Sequence, residues 1–135
     1  MESIKRFFKN DKFGAHVGIE LLEVSVGSAK VKMEIKDYHL NSHKTVHGGA
    51  IFTLADLAFA VASNSHGTIA ASINANISYI KAATTGTLIA EAKEVAINPK
   101  LATYTIHVTD DAGDIIAIFQ GMVYRKKAAI GASHK

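Results

Sequence analysis

The apolar positions of this chain change their period along its length, and the changes mark its elements. Over residues 50–63 the spacing is helical: Ile51, Leu54, Ala55, Ala58 and Ala62 fall on one face, and Gly49, Thr53, Asp56, Ala60 and Ser63 form a second stripe of small or polar residues. One face wants a core, and the other wants close contact. Gly67 is a suitable stop for that helix. From residue 69 the period becomes two, with Ile69, Ala71, Ile73, Ala75, Ile77 and Tyr79 alternating with Ala70, Ser72, Asn74, Asn76, Ser78 and Ile80. That pattern predicts a long strand. Similar alternation predicts strands over 29–35, 87–97 and 101–109, and the doubly apolar run 114–124 predicts a central strand. Residues 17–26 read as a strand whose phase shifts near Leu21 and Leu22, the mark of a bulge. Residues 3–9 form a short amphipathic helix opened by Ser3, with Ile4, Phe7 and Phe8 on one side. Turns are expected at Gly27-Ser28, Asn98-Pro99-Lys100 and Asp110-Asp111-Ala112-Gly113, loops over 37–46 and 81–86, and loose order in the last ten residues.

The resulting order is a helix, two strands, one long helix and four strands. Short turns between the later strands imply an antiparallel sheet, and a single amphipathic helix must bury its apolar face against that sheet. The fold class is therefore α+β, an antiparallel sheet wrapped around one long central helix. With 135 residues, 48% of them hydrophobic and 20% charged, the chain is long enough for one domain with a real core. That core is expected over about residues 14–124, with 125–135 as a basic tail. The longest apolar run is interrupted by Thr53 and Asp56 and is shorter than the ~20 residues a membrane crossing needs. Residues 1–9 lack the apolar stretch of a secretory signal, so a cytoplasmic location is expected. With no cysteine there is neither a disulfide framework nor a thiolate nucleophile. The net charge of +3 is mild, and no basic stripe interleaves with aromatic residues, so nucleic acid is not an expected partner.

Candidate chemistry centres on the long helix. Asp56 is the one charged residue between positions 48 and 65. An aspartate there lowers helix propensity, and ionised in an apolar setting it carries a desolvation cost. It is either a solvent-facing or hydrogen-bonded side chain, or a functional carboxylate. Gly48 and Gly49 precede it and admit two readings as well. They let the chain turn into the helix, or they leave the first helical N–H groups open to a developing oxyanion. Gly48 and Asp56 stand eight residues apart, roughly 12 Å along a helix rising ~1.5 Å per residue, so one reacting carbon cannot touch both. If they act together, Asp56 of one copy must face the glycine end of another copy's helix. His39, His43 and His47 have the spacing of one helical face, but Asn41, Ser42 and the glycines read as loop and no carboxylate completes a zinc pattern; no metal site is expected. The polar row Ser72, Asn74, Asn76 is either an ordinary exposed face or edge, or a place where Ser72 or Asn74 orients a ligand near Asp56.

The segments His39-Leu40-Asn41, the run from Val46-His47-Gly48-Gly49 to Asp56, Asn64-Ser65-His66-Gly67 and Asn76-Ile77-Ser78-Tyr79 resemble the hotdog-fold acyl-CoA thioesterases, specifically the PaaI-like group associated with phenylacetate degradation. The resemblance implies a hotdog fold, a dimer with a continuous sheet, a homotetramer made as a dimer of dimers, and active sites at the subunit interface. It implies hydrolysis of an acyl- or aryl-CoA thioester, phenylacetyl-like or medium-chain, with coenzyme A entering as part of the substrate and no further cofactor. By the same resemblance Asp56 is the base or nucleophile and Gly48 polarises the thioester carbonyl through its N–H. Asn41, supported by His47, positions the water or thioester, and Ser72 orients the nucleophile. Gly49, Asn74 and Lys81 are expected substrate contacts, with Arg125 and Lys126 as further candidates for the phosphates. Two positions depart from the pattern: Lys44 stands where a glycine is usual and Ala82 where a proline is usual. A hotdog acyl-thioester hydratase or dehydratase and a non-catalytic acyl-CoA-binding module are the alternatives.

Overall fold

Seventeen residues form the long helix α3 (Gly48–Asn64), and burying its apolar face decides where the rest of the chain goes. The computed structural model describes residues 1–131. Ile51, Leu54, Ala55, Ala58 and Ala62 are all buried, as their spacing requires. The surrounding surface is a sheet of six antiparallel strands: β1 (Ile19–Ser25), β2 (Ser28–Glu34), β3 (Thr68–Tyr79), β4 (Thr87–Ile97), β5 (Leu101–Thr109) and β6 (Ile115–Ala129). Their order is β1-β2-β4-β5-β6-β3, which leaves β1 and β3 as edges. Alternate residues such as Val31, Met33, Leu88, Ile106 and Phe119 point at the helix and are fully buried. The α+β roll expected from the pattern is the observed fold.

Small residues let helix and sheet approach closely. A Cβ on Gly121 of β6 would lie 2.6 Å from Phe59 Cζ, so the Phe59 ring occupies the space a side chain would need. Two short helices cover part of the remaining helix surface: α1 (Glu2–Lys9) buries Ile4, and α2 (Lys12–Val17) lies against α3. Gly14 makes that second contact possible, because a Cβ there would meet Leu57 Cδ2 at 2.6 Å.

Several boundaries differ from the sequence expectation. The first helix is opened by Met1 without a side-chain cap, and Ser3 lies inside it. Helix α2 was not expected. Asp11 accepts the Gly14 N–H at 2.8 Å and Gly18 ends the helix at φ 90°, yet a central glycine and six residues give little helical signal. Strand β1 accordingly starts at Ile19, with the expected bulge between Leu21 and Glu23. Strand β6 continues past Tyr124 to Ala129, where it pairs with Thr68, so 125–129 is strand; residues 132–135 of the expected tail lie outside the described residues. It is also buried on one face only, since Tyr124 on the outer face is 45% exposed.

The far end of α3 is closed by Asn64-Ser65-His66-Gly67. Asn64 Nδ2 donates to Ala60 O at 2.8 Å and its Oδ1 accepts the Ala70 N–H at 3.0 Å. Ser65 Oγ accepts the Gly27 N–H at 2.8 Å, and Gly67 adopts φ 93°. Glu94 Oε1 pairs with His66 Nε2 at 2.6 Å and accepts from the Tyr104 hydroxyl at 2.7 Å. Burial alone would raise the Glu94 carboxyl; the hydrogen bonds from His66 and Tyr104 outweigh it and hold the group below its ordinary value. No helix among the described residues is long and apolar enough to cross a membrane.

Because the Phe59 ring fills the space over Gly121, Gly121→Ala is expected to destabilise the protein by about 1–3 kcal/mol. Urea unfolding checks this; an unchanged midpoint and slope would mean the ring shifts without strain.

Candidate active site

The first turn of α3 distributes its backbone donors unequally. His47 is the N-cap, and its Nδ1 accepts the Gly49 N–H at 2.9 Å. The His47 carbonyl accepts from Ala50 N at 2.9 Å and Ile51 N at 3.2 Å. Gly48 N–H has no partner among the described residues. Its carbonyl oxygen accepts the Tyr79 hydroxyl at 3.0 Å, and the Gly49 carbonyl accepts Thr53 Oγ1 at 2.7 Å. Of the two glycine amides, only the first is free to bind an incoming anion.

Asp56 lies two turns further along the stripe that holds Gly49 and Thr53, half-buried, with no hydrogen bond to its carboxylate from the described residues. Burial first, and then the Asp11 carboxylate at the cap of α2, push its pKa above the ordinary aspartate value. A base of raised pKa in a half-buried position is what proton abstraction at neutral pH requires. Asp11 was not a candidate in the sequence, because its place beside Asp56 depends on α2. A cleft of about 530 Å³ opens beside the front of the helix, with Phe13, Val17, Tyr38 and Leu40 as apolar walls and His47 and Gly49 at one side. Ile51, Leu54 and Phe59 face the core, and Phe52 packs edge-on against Phe119.

Residues 43–117, which span the free amide and the carboxylate, match the family model described as Thioesterase superfamily. The chain belongs to that superfamily. A relative from Archaeoglobus fulgidus is 49% identical over 127 residues, 93% of this chain and 82% of that protein. The acyl-coenzyme A thioesterase PaaI of Escherichia coli is 32% identical over 119 residues, 87% of this chain and 85% of that protein. The solved structure of the E. coli PaaI protein from the phenylacetic acid degradation operon is similar at a TM-score of 0.91 and 29% identity, covering 95% of this chain and 94% of that one. By family the protein is a thioester hydrolase of the hotdog fold.

The remaining positions of the thioesterase motif divide by what they touch. Asn41 builds the loop ahead of α3: its Oδ1 accepts from His43 N at 2.9 Å and Thr45 N at 3.2 Å, and its Nδ2 donates to Thr45 Oγ1 at 3.1 Å. No hydrogen bond joins it to the His47 side chain among the described residues. Lys44, in that loop, adopts φ 62°, the left-handed conformation that glycine takes without strain. His39 is buried, accepting from Lys36 N at 2.9 Å and donating to Val17 O at 2.7 Å, which engages both ring nitrogens and ties the end of α2 to the loop. The three histidines do not form one face, and the described residues hold no cluster of three metal-ligating side chains.

Strand β3 breaks the strict alternation of its sequence. Ser72 pairs with Val123 and Asn74 with Met122, so Ile73 is an extra, unpaired residue and the phase flips there. Ser72 consequently shares the helix side with Ile77 and Tyr79, whereas Asn74 and Asn76 open onto a separate cavity of about 320 Å³ on the outer face with Gln120 and Thr103. Within one chain Asn74 and Asp56 lie on opposite sides of the sheet. Lys81 is paired with Asp114 at 2.6 Å and Asp110 at 3.3 Å while its side chain stays about half exposed, and Gly49 gives its N–H to His47. Arg125 donates to Asn98 O at 2.9 Å.

Lys44→Gly is expected to raise stability by about 0.5–1 kcal/mol, the relief of a left-handed lysine less the added freedom of the unfolded chain. Asp56 carries a sign that pH reveals. Its folded pKa lies above its unfolded value of about 3.8, so the native state holds the proton more firmly and stability falls as pH rises through that window. Asp56→Asn is therefore expected to be more stable than the native protein at neutral pH, with the two curves converging below that window; chemical unfolding across pH 3–8 measures the difference.

Proposed function

We propose that the protein hydrolyses an acyl-CoA thioester at a site shared by two copies of the chain, with the Gly48 N–H of one copy and Asp56 of the other acting on one carbonyl carbon. The observation that carries this reading is the unpartnered Gly48 amide at the head of a helix whose only interior charge is a carboxylate of raised pKa. Both belong to one rigid helix and are separated by roughly 12 Å. A two-fold axis that sets Gly48 against Asp56 of the partner subunit passes at the level of residue 52, midway between them, and makes two equal sites. Strand β3 supports such a pairing: it is a twelve-residue edge with Ile73 56% exposed, and joining it to its copy would satisfy its free backbone groups and continue the sheet.

In this scheme the thioester oxygen lies on the Gly48 N–H and collects charge there as the carbon becomes tetrahedral. Asp56 either takes a proton from the attacking water or attacks the carbon itself, in which case loss of the thiolate leaves an acyl anhydride on Asp56 that water then hydrolyses to the free acid and the carboxylate. Collapse breaks the C–S bond, the coenzyme A thiolate leaves and takes a proton, and the acid is released; water is the one co-reactant, and no metal or further cofactor takes part. Asn41, His47 and Ser72 have supporting roles: Asn41 shapes the loop beside the amide, His47 caps the helix and leaves Gly48 as the free donor, and Ser72 faces the helix side of the edge strand. Gly49 borders the cleft that would take the acyl group, and Asn74 and Lys81 are given no substrate contact within one chain. The apolar and aromatic walls of the cleft at the front of α3 favour an aryl or medium-chain acyl group.

The test is thiol release from a panel of aryl and short- to long-chain acyl-CoA thioesters, with native protein and Asp56→Asn side by side. Selective turnover that falls by at least two orders of magnitude in the variant is expected. Near-native hydrolysis by Asp56→Asn, or thermal stabilisation by an acyl-CoA with no turnover at all, would overturn the reading.

A further inference from the structure

The geometry points to Tyr79 as a positioning residue for the Gly48 amide, an inference that rests on the function proposed above. Two successive glycines open the head of α3 to a ligand and also deprive it of rigidity, since neither carries a side chain that limits its torsions. An oxyanion donor is effective only when it is already in place before charge develops. The required stiffness must come from outside the two residues.

Two contacts supply it, and both grip the same peptide group. The Tyr79 hydroxyl donates to the Gly48 carbonyl oxygen at 3.0 Å, and the Gly49 N–H of that peptide donates to His47 Nδ1 at 2.9 Å. The peptide between Gly48 and Gly49 is thus held at its oxygen by the edge strand and at its nitrogen by the helix cap. Tyr79 also confines the α-carbon. A Cβ built on Gly48 would stand 3.2 Å from Tyr79 Cζ, 3.3 Å from Oη and 3.4 Å from Cε1. The phenol ring therefore borders the space beside Gly48 closely enough that a β-carbon there would require it to give by a few tenths of an ångström.

Tyr79 reaches this position from the last residue of β3, where it pairs with Ala117 on the helix side of the sheet. Tyr79 is 52% exposed, and its hydroxyl donates to the Gly48 carbonyl. Tyr79 touches no reacting atom in the proposed scheme. It acts through Gly48, and it links the order of the edge strand to the order of the donor.

The experiment compares kcat and KM of native protein, Tyr79→Phe, Tyr79→Leu and Asp56→Asn on the best acyl-CoA of the panel, with oligomeric state and melting temperature recorded for each. Tyr79→Phe keeps the ring and loses the hydroxyl; a fall in kcat of about tenfold with KM within about twofold is expected, because the donor acts on the transition state more than on bound substrate. Tyr79→Leu is expected to fall further. A second arm reads the covering contact without chemistry: Gly48→Ala should lower the melting temperature of the native protein and do so much less in a Tyr79→Ala background. Turnover lost in Asp56→Asn and unchanged in Tyr79→Phe would overturn this inference alone. No turnover by the native protein would end the proposed function and this inference with it. Equal penalties for Gly48→Ala in both backgrounds would also overturn the covering role.

Discussion

A helix cannot bring its own first amide to an aspartate two turns along it. That rigidity is the constraint on which the rest of this protein depends. The free N–H of Gly48 and the carboxylate of Asp56 belong to α3, and the intrahelical hydrogen bonds between them fix their separation. Any chemistry that uses both must come from two helices lying side by side in opposite directions. The sheet answers the other half of that requirement. By enclosing the apolar face of α3 from one side, it leaves the stripe of Gly49, Thr53, Asp56 and Ala60 as the surface on which a second helix and a substrate can rest. Small residues in that stripe permit close approach, and the carboxylate among them is partly desolvated.

Several features lower stability in order to keep this surface. Asp56 is half-buried beside a second carboxylate, so its ionised form is disfavoured by the fold. Lys44 holds a left-handed backbone in the loop that leads to the helix. Paired glycines at the head of α3 forgo helix propensity. Each lies within a few residues of the candidate site, while the opposite end of α3 is closed with satisfied hydrogen bonds from Asn64, Ser65 and the His66–Glu94–Tyr104 group. The satisfied hydrogen bonds of the closed end offset the polar groups left unpartnered at the open one.

The edge strand β3 has a role in each part of this arrangement. Its bulge at Ile73 turns Ser72 toward the helix and Asn74 away from it. Its last residue, Tyr79, bonds to the carbonyl of the residue whose amide is free. Its outer edge pairs with no other strand among the described residues. Pairing that edge would order the strand from which Tyr79 projects, so assembly and preorganisation of the donor meet in one element.

How far each feature was legible depends on whether it is fixed locally or at a distance. The apolar period of residues 50–63, the strands over 87–97 and 101–109, the Leu21 bulge and the glycine stop at 67 follow from side chains a few positions apart, and they stand in the structure as read. The combination of His47, Gly48, Gly49 and Asp56 lies within the residues that match the family model. Helix α2 was not legible, because a six-residue segment with a central glycine carries little helical signal, and its fit against Leu57 depends on a residue far along the chain. Nor was the phase flip in β3, where the sequence alternates without a break and the pairing with β6 inserts the extra residue. Lys81 read as a free cation until the hairpin brought Asp110 and Asp114 to it. The sequence by itself determined which residues are candidates for chemistry, since paired glycines at a helix start and a charge in an apolar helix are matters of residue type and spacing. Only the tertiary structure decided which of two glycine amides stays free and which polar side chains face the site, because hydrogen-bond partners and strand register arise between segments far apart in the chain.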